Sequence, residues 1–394
     1  MKWNYTTKMQ LLLTIVIFML FQGCASKKSE CKYTPEDICV TGDLEKFEFS
    51  DYFELSAVVP LETNKNCYIK DIRKIYVNNL GIFIQDGYEY ILVFSREGRY
   101  QRRIQHFGQG PGEWSEISDF DVNHKDSTLI LRSQYKEMVY SIDDRLISEK
   151  KVDISSSVFY RIDSKANAFY DYNIPNQQNT MNGVTYNLVI QKGNKTPDLY
   201  CKAIKCMAGV NSSRRYARSF CQTQENMYLV ESYNDTIYSI SKNAKVVPSY
   251  RIDFGSKRFP VEKLLNQQLF QEFEHSYAHF ISAIYENNDL FYFEYSDCDV
   301  PARIIYEKGS KKSYRGNSLF DKINNLPTTG FINYYGNVDK VLSLVEPSDY
   351  LKFLKIVNGD KKTKVLPELK NVKEEDNTIL VFYTLKTKSK KDEK

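Results

Sequence analysis

The chain has 394 residues, with 54 Lys and Arg against 50 Asp and Glu and a formal net charge of +4. A hydrophobic share of 42% and a charged share of 26% are ordinary for a globular fold and exclude a disordered chain. Charge so close to balance, with no long basic run in the body, argues against a nucleic-acid partner. The aromatic share of 14%, carried mainly by 30 Tyr and 23 Phe, suits half-buried pleated surfaces and so favours β structure.

The first 23 residues read as a signal peptide. Lys2 and Lys8 form a positive n-region and LLLTIVIFML (11–20) an apolar h-region, too short and wrongly flanked for a stable transmembrane helix. The run ends in LFQGC. Gly23 directly before Cys24 resembles a bacterial lipobox, although Phe21 and Gln22 stand where smaller or aliphatic residues are usual. The resemblance implies diacylglycerol on the Cys24 thiol after cleavage, and plain secretion is the alternative. Ala25, Ser26, Lys27 and Lys28 follow, with no aspartate and no acidic run. By the same resemblance this implies an outer-membrane lipoprotein facing the periplasm, with surface display left open. Cleavage removes two lysines and no acid, so the formal charge falls from +4 to +2. Seven cysteines then remain: Cys31, Cys39, Cys67, Cys201, Cys206, Cys221 and Cys298. An odd count in an oxidising compartment leaves at least one thiol free. Cys31 with Cys39, and Cys201 with Cys206, are close enough for local bridges, but spacing does not decide the pairing. No CxxC occurs, which disfavours a zinc ribbon.

Residues 24–43 read as a tether, with few periodic apolar positions. From residue 44 a four-strand rhythm begins. IRKIYVNN (72–79), GIFIQDG (81–87), YILVFS (90–95) and RYQRRIQ (99–105) form the first unit, with a hairpin turn at Glu97-Gly98. ISDFDVN, STLILRS, KEMVYSID and RLISEKKVD (117–153) repeat it. Three weaker copies run from SSVFYRIDS, from RSFCQTQ and from HFISAIYE. A sixth is read from FINYYG, KVLSLVE, YLKFLKIV and the terminal TILVFYTLK. Four-stranded units repeated head to tail bury their faces by packing radially about an axis. The expectation is an all-β, six-bladed β-propeller over residues 44–394, with FEFSDYFELSAVVPLET (47–63) closing the ring against the last blade. Apolar residues at 261, 265, 269, 273 and 277, after Pro260, predict an amphipathic helical insertion at about 259–282.

The stretch QHFGQGPGEW (105–114) sits between the first two units. A dinucleotide loop needs GxGxxG between strand and helix; here the spacing is GxGxG and a strand follows, so the glycines serve a sharp blade junction. FGQGPGEWSEISDFDVN resembles the glycine-rich junction of NHL-type repeats. With YRIDFGSKRFP (250–260), KVLSLVEPSDYLKFL (340–354), EEDNTILVFYTLK (374–386) and VVPLETN (58–64), it is similar to the six-bladed β-propeller lipoproteins of Bacteroides-type bacteria. The likeness spans roughly residues 44–388 and departs at Thr378, where a proline often follows the Asp-Asn pair. It implies shape and location; that family carries no common activity.

Candidate sites are few. Gln109, Glu113 and Trp114 on the junction loop, with Arg132 nearby in sequence, are candidates for a glycan, a peptide or another envelope protein: Trp114 to stack, Glu113 and Arg132 to fix polar groups. Trp114 equally suits a wedge between blades. His275 and His279 stand at i and i+4 of the expected helix with Glu272 one turn earlier, a trio able to hold calcium or zinc or simply to form a solvated polar face. Asp119, Asp121, Asn123 and Asn333 sit where a carboxylate and amide ring at the axial mouth would be built in a metal-dependent hydrolase or lyase. No GxSxG or HExxH occurs. No cofactor is expected, and a binding or protein-interaction module is the leading reading.

Overall fold

A computed structural model describes residues 33–133, 136–152, 154, 156, 158–204, 219–262, 274–316, 320–328, 330–357 and 365–387. The expected signal peptide, Cys24, Glu272, Cys31 and Cys206 lie outside them. From Pro35 onward the chain forms one compact unit, a six-bladed β-propeller.

Blades 1 to 5 each contain four antiparallel strands that follow in chain order. Blade 1 is Ile72–Asn78, Gly81–Asp86, Tyr90–Phe94 and Tyr100–Ile104; blade 2 is Asp119–Asn123, Thr128–Arg132, Lys136–Ser141 and Leu146–Lys151. Blade 3 runs through Val158–Arg161, Ala166–Tyr170, Val184–Lys192 and Asp198–Lys202. Blade 4 runs through Phe220–Gln222, Met227–Leu229, Thr236–Ile240 and Val246–Asp253. Blade 5 is Ala278–Glu286, Leu290–Asp297, Val300–Glu307 and Lys312–Gly316. The burial pattern follows from radial packing. The middle strands of blade 1, GIFIQD and YILVF, are buried at every position, because a neighbouring blade covers each face; such strands read as continuous apolar runs rather than alternations. The outermost strand of blade 2, LISEKK, is exposed throughout.

Blade 6 closes the ring with chain from both ends. Its strands are Phe331–Ile332, Val341–Val345, Ile379–Leu385 and, outermost, Phe53–Pro60, which pairs antiparallel with Ile379–Leu385. The expected closing strand is therefore present as the fourth strand, and Ile379–Leu385 takes the third place read from YLKFLKIV. That stretch is helical instead, within Pro347–Val357. Its apolar residues fall at 350, 351, 353, 354, 356 and 357, broken every third position by the lysines at 352 and 355, which is not the alternation of a half-buried strand. Tyr350 is buried and Phe353 packs on Phe320 at 4.7 Å between ring centroids.

Two further corrections concern the ends of elements. Residues 24–43 are not wholly a free tether: Glu36–Cys39 pairs parallel with Val246–Asp253 at the rim of blade 4, with Ile38 fully buried and Arg251 holding Asp37 in a fork at 2.7 and 2.9 Å. Lys46–Phe47 adds likewise to blade 5. The N-terminal segment thus straps the rims of blades 4, 5 and 6 in turn. Of the helix expected at 259–282, residues 263–273 lie outside the described residues. Glu274–Ser276 is a single 3-10 turn, and Ala278–Glu286 is already the inner strand of blade 5. The helical period there stops before residue 278 because the strand pairs with blade 5.

A buried polar contact ties each neighbouring pair of blades. Lys74 and Asp119 join blades 1 and 2 at 2.8 Å; Phe159 donates its N–H to Asp119 from blade 3 at 2.8 Å. Asn187 donates to Glu231 between blades 3 and 4, and Tyr228 to Glu286 between 4 and 5, both at 2.7 Å. The Phe331 N–H reaches Glu294 across blades 5 and 6 at 2.9 Å. Asn377 closes the seam: its amide donates to the Glu62 and Cys67 carbonyls and accepts from the Ile69 N–H at 2.9 Å. Paired in this way, these buried polar groups avoid the desolvation cost of standing alone.

Candidate functional site

The chain leaves the inner strand of blade 6 and crosses the axis. Tyr335–Gly336 pairs parallel with Tyr76–Val77 of blade 1, while the Tyr335 hydroxyl donates to the Phe220 carbonyl of blade 4, on the opposite side of the ring, at 2.7 Å. Gln222 of blade 4 makes reciprocal bonds with Gly336, donating to its carbonyl at 3.0 Å and accepting from its N–H at 3.1 Å. Asn333 donates to the Cys221 thiol sulfur at 2.7 Å. The segment 333–336 therefore fills the middle of the channel. Lys74 lies 4.2 Å from the centroid of the Tyr335 ring, a cation over an aromatic face away from bulk water.

The axial candidates are divided by this plug. Asp119 is buried and committed to Lys74 and to the Phe159 N–H. Asn333 donates to Cys221, and its side-chain oxygen is buried without a partner among the described residues. Asn123 donates to Asp126 at 2.6 Å within its own hairpin. Asp121 accepts the Val122 N–H; burial raises its carboxyl above the ordinary range, against the lowering effect of Lys74. Burial also pushes the nearby Tyr160 phenol up to about 12, with the Asp121 carboxylate adding to the effect. Burial likewise raises Tyr76.

Where the inner strands of blades 1 and 4 and the plug all end, at Asn78, Gln222 and Gly336, a cleft of about 570 Å³ opens and runs outward between blades 6 and 1. Val77, Ile82, Val59 and Phe382 give it apolar walls, and Ser56, Arg96, Gln224 and Lys340 give it polar ones. Asn78, 3% exposed, uses its side-chain oxygen to accept the Leu80 N–H at 2.8 Å, while its amide nitrogen has no hydrogen-bond partner. A buried donor left unanswered costs stability, and this nitrogen is itself closed off from solvent; the cleft beside it is of ligand size.

The residues singled out from sequence are not brought together. Trp114 is 1% exposed, wedged between Phe83, Ile91 and Val93 of blade 1 and Phe120, Leu131 and Tyr140 of blade 2, with its indole N–H donating to the Glu89 carbonyl at 2.9 Å. It is an inter-blade wedge, with no face left to stack on a ligand. Glu113 turns inward to accept the Gly110 N–H at 2.8 Å, and Glu149 accepts the Gly112 N–H at 2.6 Å. These carboxylates satisfy the loop donors that an outside anion would need. Gly112 has φ +74°, which a side chain would resist. Gln109 is exposed on the loop. Arg132 lies elsewhere, between blades 2 and 3, bonded to the Ile154 carbonyl at 2.7 Å and over the Phe169 ring at 4.6 Å.

His275 is exposed in its 3-10 turn and bonds Asp299, whereas His279 is buried in the blade 5 strand with its Nδ1 against the Tyr277 carbonyl at 2.9 Å. The helical i, i+4 spacing assumed for them does not hold, and Glu272 is outside the described residues. Cys39 and Cys201, each weighed for a local bridge, are free thiols. Sequence reasoning missed the cleft itself. Asn78 ends an inner strand in a plain IYVNN pattern, and only the adjacency of blades 6 and 1 places it beside a cleft.

Residues 37–384 match the family model described as "Domain of unknown function (DUF4934)". The chain belongs to the DUF4934 family. No curated protein matches it. Among solved structures, this DUF4934 chain is similar to a Bacteroides fragilis protein described as a "putative exported protein". That likeness has 18% identity and a TM-score of 0.69, covering 90% of this chain and 100% of that one; it bears on fold alone. A virginiamycin B lyase of Staphylococcus aureus follows at 10% identity and TM-score 0.41, covering 84% and 99%. The Pan2 WD40 domain of Neurospora crassa stands at 7% and 0.39, covering 88% and 98%.

Proposed function

We propose that this protein is a lipid-anchored binding module of the cell envelope, held through Cys24 at the periplasmic side of the outer membrane, and that it takes its ligand in the cleft between blades 6 and 1. The observation that carries the binding role is the 570 Å³ cleft itself, on whose walls Ser56 and Gln224 make no side-chain hydrogen bond and Arg96 no ion pair among the described residues. At the plug Tyr335 and Gln222 are engaged, while the Asn333 side-chain oxygen is buried without a hydrogen-bond partner among the described residues. The signal peptide, the lipobox-like LFQGC and the exported description of the B. fragilis neighbour support the location. A metal-dependent hydrolase gains no support from Asp119, which is already committed to Lys74 and to the Phe159 N–H.

The test is a binding screen of the soluble chain from Ser26 onward against glycan and peptide arrays, beside an Ala57→Trp variant. Ala57 is exposed on the cleft wall, so the new indole fills the cleft without entering the core. Binding lost in the variant at an unchanged thermal midpoint supports the reading. Binding that survives the filled cleft overturns it.

A further inference from the structure

We infer that the open rim of blade 2 takes an extended acidic peptide, which pairs as a fifth strand on Leu146–Lys151 and sets its carboxylates against lysine and arginine. Three other rims are covered by the chain's own backbone. Glu36–Cys39 lies along the fourth strand of blade 4 and Lys46–Phe47 along that of blade 5. On blade 1 the Tyr100 N–H donates to the Glu62 carboxylate at 2.9 Å, and Arg103 donates to the Asn66 carbonyl at 2.7 Å. The blade 2 sheet stops at four strands, and among the described residues Leu146–Lys151 pairs only with Lys136–Ser141. Every residue of this outer strand is exposed, Ile147 by 52%. An edge strand presents a row of unpaired N–H and C=O groups, the template for strand addition.

Charge and shape choose the occupant. Glu149 is spent on the Gly112 N–H at 2.6 Å, so the charges left along the edge are basic. Arg145 and Lys151 make no ion pair among the described residues, and Lys150 keeps 69% of its side chain exposed although it meets Glu137 at 2.9 Å. Beside the strand a groove of about 240 Å³ opens between blades 2 and 3, with Ser148, Lys150, Arg161, Ser164 and Asn167 on its walls. Ser148, Ser164 and Asn167 make no side-chain hydrogen bond among the described residues, and Arg161 makes no ion pair among them. A strand added to the edge points alternate side chains to the two faces of the blade, so every second residue of the peptide faces this groove. An aspartate or glutamate there meets Lys150 and Arg161 in charge-assisted bonds. The strap already uses this pairing: Asp37 of the added strand is held in a fork by Arg251 of the blade 4 edge. Lysines along an edge discourage pairing with a second copy of that edge, and they repel a basic peptide.

The experiment titrates the soluble chain from Ser26 onward into two dye-labelled octapeptides, one alternating Glu and Val and one alternating Lys and Val. Binding is read by fluorescence anisotropy and located by amide hydrogen exchange. The Glu-Val peptide should bind at least about tenfold more tightly than the Lys-Val peptide, and the amides of residues 146–151 should gain protection. Lys150→Glu combined with Lys151→Glu, both at exposed positions, should reverse the preference at an unchanged thermal midpoint. Absence of binding, equal binding of the two peptides, protection that falls on another rim, or a preference that survives the double variant overturns the inference. So does protection of residues 146–151 that rises with protein concentration in the absence of peptide, which would put a second copy on the edge. The blade 2 rim is apart from the cleft between blades 6 and 1, so each of these failures leaves the binding role proposed above standing.

Discussion

Trp114 offers the sharpest test of the assignment of the glycine-rich junction to architecture. If it wedges blades 1 and 2, truncation to alanine empties a fully enclosed site and strands the Glu89 carbonyl that now accepts the indole N–H at 2.9 Å. Replacing a buried tryptophan by alanine costs about 3–5 kcal/mol. At ~2.1 cal/mol/K per residue, a propeller of roughly 350 residues unfolds with about 0.7 kcal/mol/K, so the midpoint should fall by ~4–7 °C. Trp114→Phe keeps most of the volume and loses the hydrogen bond, so a fall of ~1–3 °C is expected. The assay is a thermal melt followed by circular dichroism at one fixed scan rate, with ligand affinity measured in parallel at 20 °C as an independent readout. If Trp114→Ala melts within about 1 °C of the unmodified chain while its affinity collapses, the residue is a ligand contact and the wedge reasoning fails.

Other expectations follow from the same geometry. Lys74→Met leaves Asp119 buried without its cation, so a loss of about 3–5 kcal/mol is expected, read as a lowered urea midpoint; an unchanged midpoint would mean that the Phe120 and Phe159 N–H groups alone satisfy the carboxylate. Deleting residues 26–47 removes the strap from the rims of blades 4 and 5 and bares two edge strands, so light scattering should show oligomers that the full-length soluble chain does not form. Burial holds the Glu231 carboxyl above its ordinary value, despite the amides of Asn187 and Asn234 that favour the charged form. Between the ordinary and the raised value the folded chain keeps a proton that the unfolded chain has released, so stability falls as pH rises through that window and is level above it; Glu231→Gln should flatten the melting midpoint across this range. Cys24→Ser should move the protein from the detergent to the aqueous phase on detergent partition, and a variant that stays in the detergent phase would refute the lipid anchor.

Much of the fold is legible in local pattern. IRKIYVNN, GIFIQDG and YILVFS announce strands through their β-branched and aromatic residues and the turn residues between them, and the repeat of that rhythm announces blades. YLKFLKIV was ambiguous because a short apolar run carries little period; its lysines at 352 and 355 match a helix that packs Tyr350 and Phe353 inward. EDIC at 36–39 gave still less signal, since a four-residue strand added to a rim depends on the strand it meets.

By itself the sequence determined the signal peptide pattern, the four-strand unit, the number of blades and the closure by an N-terminal strand, because each is written in spacings of a few residues or in their repetition. The tertiary structure decided what occupies the axis and where a cleft remains. Tyr335 reaches Phe220, Gln222 reaches Gly336 and Asn377 reaches Cys67 across separations far longer than any hydrophobic period. Those contacts arise only when the ring closes and brings blade 6 against blade 1. Closure turns Asn78 from the end of a strand into a buried residue on the wall of a cleft.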